Sequence, residues 1–108
     1  MNFNEYQIKA KSTDIYPADH ALDCHVHGLN NEAGEVAGKI KKMYRDSNGD
    51  FSATVRFDVA KELGDTLWYL ACIAEDIGFT LESIAAMNIQ KLADRKERNK
   101  IGGSGDHR

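Results

Sequence analysis

Residues 22–43 read LDCHVHGLNNEAGEVAGKIKKM, and their apolar side chains decide the fold. Leu22, Val26, Leu29, Ala33, Val36, Ile40 and Met43 follow one another at steps of three and four, the spacing of one face of an amphipathic α-helix. Within this stretch Glu32-Ala33-Gly34-Glu35 carries two acids, and Glu62-Leu63-Gly64-Asp65 repeats the pattern further on. Acids three residues apart lie about 60° apart around a helix, so each repeat presents two carboxylates on one face. Each repeat also holds a glycine, which costs about 1 kcal/mol in a helix interior. Bearing that cost twice predicts that a neighbouring helix or a ligand approaches the backbone closely there. Two solvated acidic faces are the plain alternative, and the matched copies count against it.

Outward from this stretch, the single Pro17 and the glycines mark the breaks. A short helix is expected over residues 4–13, with Tyr6 and Ile8 or Ala10 inward. A connector through Pro17 follows, with Asp19 as N-cap of the long helix. Asp46-Ser47-Asn48-Gly49-Asp50 is a polar turn, without the D-x-D-x-D-G spacing of a calcium loop. The third helix starts between Ser52 and Phe57 and runs to Gly78, with Leu63, Leu67, Leu70, Ala74 and Ile77 as its core stripe. Trp68, Tyr69 and Cys72 then point away from that stripe, in a run from Thr66 to Ala74 that carries no charge. A helix apolar all round must be covered all round, which predicts self-association. Thr80 caps a fourth helix from Leu81 to about Asn99. No strand is expected.

These elements describe an all-α fold, a four- to five-helix bundle whose antiparallel central helices are completed by oligomerisation, as a homodimer or homotetramer. The 108 residues form one domain, with an N-terminal helix and connector in 1–18 and a glycine-rich tail in 100–108. A net charge of −3 gives no general attraction to nucleic acid or to an anionic membrane. No apolar run approaches the length of a membrane span, Met1-Asn2-Phe3-Asn4-Glu5 lacks the basic and apolar regions expected of a signal peptide, and Cys24 and Cys72 show no metal or redox spacing. A cytoplasmic protein with two free thiols is expected. His20, His25, His27 and His107 read as surface or interface residues.

Glu32 and Glu35 flank the second helix's stripe on one side, and Glu62 and Asp65 flank the third helix's in the same rotational sense. Packed antiparallel, the two helices bring four carboxylates together, a set of oxygen ligands for one or two hard cations. On the fourth helix the stripe Leu81, Ile84, Ala85 continues in phase as Asn88, Lys91 and Arg95. Such a stripe either faces something anionic or is a frayed end with solvated cations, and Asp94 offers Lys91 and Arg98 local partners. Carboxylate-bound metal beside amide and cations is the combination that phosphate chemistry needs. A di-iron bundle is excluded in practice, since no glutamate has a histidine three residues later.

Glu-x-x-Glu, 26 intervening residues, Glu-x-x-Asp and then Asn88-x-x-Lys91-Leu92-x-x-Arg95 resemble the MazG-like nucleoside triphosphate pyrophosphohydrolases of the all-α NTP pyrophosphatase superfamily. The tail Gly102-Gly103-Ser104-Gly105-Asp106-His107-Arg108 is similar to the ending of small phage and bacterial members. The resemblance implies magnesium-dependent hydrolysis of a (d)NTP to (d)NMP and pyrophosphate, with manganese as a possible substitute, in nucleotide pool control or house-cleaning. It implies that Glu32, Glu35, Glu62 and Asp65 bind the metal and that Lys91 and Arg95 contact phosphate. Glu35 is further expected to orient the attacking water. Many members carry a lysine shortly before the second acidic motif; here only Lys61 stands there. The glycines of the tail are expected to let Arg108 reach the triphosphate, with Asp106 fixing it. A dUTP- or dCTP-selective diphosphohydrolase and a catalytically silent helical interaction module are the alternatives.

Overall fold

The computed structural model describes all residues from Met1 to Arg108. Four α-helices carry the chain: α1 (Phe3–Ser12), α2 (Ala21–Asp46), α3 (Ala53–Asp76) and α4 (Leu81–Glu97), with a 3-10 turn at Ala18–His20 before α2. There is no strand. No helix is long and apolar enough to cross a membrane.

Side-chain caps form at three of the four starts, and Thr80 is the one the sequence reading named. Asn2 Oδ1 accepts from the Glu5 N–H, Ser52 Oγ from Val55 and Thr80 Oγ1 from Ser83. Asp19 does not cap α2: it lies inside the 3-10 turn, and His20 holds the cap position without a side-chain bond. Between α2 and α3 the chain reverses through Asn48 and Gly49, both at positive φ (53° and 79°). Gly78 (φ 80°) closes α3 in the left-handed conformation that only glycine adopts without strain.

α2 and α3 form the antiparallel pair that the sequence predicts. Contacts step in opposite directions along them, from His25 with Asp76, through Gly28 with Tyr69, to Lys39 with Glu62. α1 lies across α3 and α4, where Ala10, Ala71 and Leu81 form a small core flanked by Tyr6, Leu67 and Trp68. Gln7, not Ile8, is the buried partner of Ala10 on α1. Its amide nitrogen donates to the Glu75 carboxylate (2.9 Å) and the Phe79 carbonyl (3.1 Å), while its oxygen accepts from the Leu81 N–H (2.6 Å). One side chain thereby satisfies the backbone groups left free at the α3–α4 corner.

The phase of α3 differs from the expectation. Of the expected stripe Leu67 flanks the core and Ala74 is buried, but Leu63, Leu70 and Ile77 are 53%, 41% and 53% exposed, and in their place Ala71 and Cys72 are buried and Trp68 and Tyr69 half-buried. The segment after α1 covers the aromatic face: Trp68 Nε1 donates to Thr13 Oγ1 (2.8 Å), and the Tyr16 and Tyr69 hydroxyls meet at 2.7 Å. On α2, Met43 is buried and Leu29, Val36 and Ile40 are half-buried, but Leu22, Val26 and Ala33 are exposed. The fully buried residue of this helix's first half is His25, which the sequence reading left at the surface.

The chain is extended for its length. Its radius of gyration is 16.9 Å, against about 13 Å for a compact chain of this size. α4 is the reason: it touches α1 and α3 but not α2.

Candidate active site

Glu32 projects from α2, and Glu62 and Asp65 project from α3. Antiparallel packing brings a carboxylate oxygen of each within 4.8 Å of the others. Glu32 and Glu62 are half-buried and Asp65 is exposed. Burial, contact with the Glu62 carboxyl, and the charges of Asp65, Glu62 and Glu35 together hold the Glu32 carboxyl above its ordinary range. Glu35, one turn along α2 and exposed, acts on this group through its charge and stands outside the tight cluster. The cation nearest the acids is Lys39, whose Nζ lies 3.9 Å from Glu62. Lys61 turns elsewhere, to Asp58 (3.2 Å) and over the Phe57 ring.

Half-buried carboxylates at such spacing repel one another, and a single lysine at 3.9 Å does not neutralise them. Hard oxygen donors without balancing charge are what magnesium or manganese take, so the residues present fit a divalent ion.

Beside the acids opens a cleft of about 330 Å³, lined by Thr13, Glu32, Asp65, Trp68 and Tyr69. Trp68 and Tyr69 stand edge to face with ring centroids 4.9 Å apart. The sequence reading assigned both to an outer surface. Helical spacing held the signal: they lie three and four residues after Asp65, on its side of α3. The two rings are fixed by Thr13 and Tyr16, a contact over more than fifty positions that no spacing rule shows.

The glycines of the acidic repeats do not have the expected neighbours. A Cβ at Gly34 or Gly64 would meet nothing of this chain within 4 Å. The close approach is at Gly28, where a Cβ would stand 2.1 Å from the Tyr69 ring.

On α4 the stripe stays in phase from Leu81 through Ile84 and Ala85 to Lys91 and Arg95, and Arg95 is buried. What faces it is anionic, and it comes from the chain's own tail. Asp106 accepts from Lys91 Nζ (2.7 Å) and from Arg95 Nη2 (3.2 Å), and its carbonyl accepts from the same Arg95 nitrogen (2.7 Å). The bond to Lys91 and that lysine's charge, with help from Arg95, hold the Asp106 carboxyl below its ordinary range. Asn88 is exposed and borders a cavity of about 370 Å³ with Ile84, Met87, Lys91 and Asp106. Arg108 donates to the carbonyls of Lys100, Ile101 and Gly105 and so turns into the tail itself. Asp94 pairs with Arg98 (2.9 Å). A single chain thus assembles the acids and the cations separately: Lys91 and Arg95 pair with Asp106, not with the acidic cluster.

The model of the MazG nucleotide pyrophosphohydrolase domain matches residues 22–99, the stretch from the start of α2 past the end of α4. Among curated proteins, the Gene 37 protein of Mycobacterium phage L5 is similar over the whole of both chains, with 41% identity across 116 aligned positions. No solved structure matches significantly. The acidic pair of helices, the cationic fourth helix and these similarities agree, and the chain belongs to the MazG nucleotide pyrophosphohydrolase domain family.

Proposed function

We propose that this chain is a magnesium-dependent pyrophosphohydrolase that converts a (d)NTP to (d)NMP and pyrophosphate, acting on the free nucleotide pool of the cytoplasm. The observation that carries the reading is the convergence of the Glu32, Glu62 and Asp65 oxygens beside an aromatic cleft. Glu32, Glu62 and Asp65 would hold the divalent ion, with Glu35 as the fourth acid of the set. The bound ion supplies polarisation of the phosphoryl oxygens and a lowered pKa for water.

The remaining work falls to the chain's own residues. Glu35, free of ion pairs and one turn from Glu32, orients the attacking water and accepts its proton. Trp68 and Tyr69 offer the base an apolar wall next to the acids. Asn88, Lys91 and Arg95 bind the phosphates, with Lys91 and Arg95 taking up charge on the pyrophosphate as it leaves. α4 makes no contact with α2, and in this reading the cations reach the acids from a second copy in a homodimer or homotetramer.

The test is a screen of common and modified triphosphates, dUTP and dCTP included, assaying pyrophosphate release with magnesium and then manganese. Release from at least one substrate, lowered about tenfold or more by Glu62→Gln, supports the reading. No release from any of them, with no stabilisation by magnesium, leaves the protein as a helical interaction module.

A further inference from the structure

Behind the rings of the cleft lies a second cluster of ligating side chains, which the proposed reaction does not use. His25 is 0% exposed and packs against Tyr16, Trp68 and Tyr69, with centroids 5.4, 6.0 and 6.4 Å away. Its Nδ1 meets Asp76 Oδ2 at 2.5 Å. Its Nε2 lies 2.9 Å from Asp14 Oδ2, an ion-pair distance, off the alignment of a regular hydrogen bond. Cys72, buried on α3 one turn before Asp76, brings a thiol to the same place. The ligating atoms of Asp14, His25 and Cys72 all lie within 4.8 Å of one another.

We propose that Asp14, His25 and Cys72 form a buried site for one zinc ion, distinct in place and chemistry from the Glu32, Glu62 and Asp65 cluster. Three observations converge on it. A carboxylate holding the far ring nitrogen is the partner that fixes a histidine's tautomer and aims its other nitrogen at a metal, and Asp76 does this for His25. Tetrahedral zinc with sulfur, nitrogen and oxygen ligands spaces them roughly 3.4–3.6 Å apart, a small adjustment from the present envelope. A thiolate and an imidazole select a borderline-soft transition ion and discriminate against magnesium.

On binding, zinc takes the cysteine as a thiolate and the histidine through an unprotonated ring nitrogen, and the displaced Sγ proton leaves to solvent. Burial first, and then the Asp14 and Asp76 charges, push the Cys72 thiol up to about 12, so the metal-free cysteine is protonated and a dication at its side reverses that. The site ties the segment after α1 to α2 and α3, and fixes the rings that form the cleft.

The experiment is cobalt substitution of the full-length protein after chelation, with excess magnesium present to fill the oxygen cluster. One Co²⁺ per chain is expected, with a thiolate-to-cobalt charge-transfer band. Cys72→Ser or Cys72→Ala should remove that band, while Cys24→Ser, Glu62→Gln and Asp65→Asn leave it. Zinc should then displace the cobalt mole for mole and raise Tm. A wild-type protein of native helix content that shows no such band overturns the site. Persistence of the band in the Cys72 variants overturns it equally.

Discussion

Tyr69 lies against Gly28 so closely that a methyl group on that glycine would stand 2.1 Å from the ring. The ring cannot swing aside freely, because its hydroxyl is bonded to Tyr16 and its edge meets Trp68. Gly28→Ala should cost about 1–3 kcal/mol through overpacking, despite alanine's better helix propensity. Thermal unfolding should show a fall in Tm of at least several degrees. An unchanged or raised Tm would mean that the ring moves without cost.

Glu62→Gln and Asp65→Asn should each lower pyrophosphate release by about ten- to hundredfold. Stability should move the other way. The Glu32 carboxyl sits above its ordinary range in the fold, so the folded state binds that proton more tightly than the unfolded chain. The Glu32 contribution to metal-free stability is then greatest in acid and is lost as pH rises from the ordinary glutamate value through the raised one. Either substitution should flatten that loss in metal-free unfolding curves, and magnesium should flatten it in the wild type.

Asp106 occupies the two cations assigned to phosphate, so it competes with substrate. Asp106→Asn should lower KM for the triphosphate severalfold and leave kcat within about twofold, since a charge-assisted contact is lost only from the free enzyme. The pH dependence has a definite sign. The Asp106 carboxyl is held below its ordinary range, so tail docking is complete above the ordinary aspartate value and is lost as pH falls through the lowered one. Amide exchange across residues 102–108 at several pH values would follow the release. A KM unchanged by the substitution would show that phosphate does not bind where Asp106 does.

The exposed row Leu63, Leu70 and Ile77 recurs every seven residues along one side of α3, the repeat of a helix-packing seam. Sedimentation should give a multiple of 12.0 kDa, and Leu70→Glu should shift it to the monomer without loss of helix. A wild-type monomer at high micromolar concentration would remove this face, and with it the route by which a second copy's Lys91 and Arg95 reach the acids.

The helices were legible because each rests on short-range spacing, and of the four acids read as one set three converge while Glu35 stands apart. The reversal at Asn48-Gly49, the stop at Gly78 and the cap at Thr80 need only neighbours in sequence. The phase of α3 was not legible for a physical reason. Both sides of Thr66–Ala74 are apolar, and periodicity cannot tell which side its own chain covers and which is left for a partner. The answer depends on Thr13 and Tyr16, which reach Trp68 and Tyr69 from far away. His25 was missed for the same reason: its partners Asp14 and Asp76 come from two other elements. Lys39 stands one turn after Glu35 on α2, a spacing that points to that acid, whereas its partner is Glu62 on α3.

Gln7 carries a consequence for how the molecule is made. Its three bonds reach Glu75, Phe79 and Leu81, all more than sixty positions downstream, while the family match begins only at residue 22. A chain emerging amino end first holds α1 without its seat until Leu81 has been synthesised. During synthesis the corner that sets the direction of α4 stays open until Leu81 has emerged, and it is then closed by the first helix made. A fragment trimmed to residues 22–99 would keep all four acids with Lys91 and Arg95, yet lose the side chain that aims one set relative to the other.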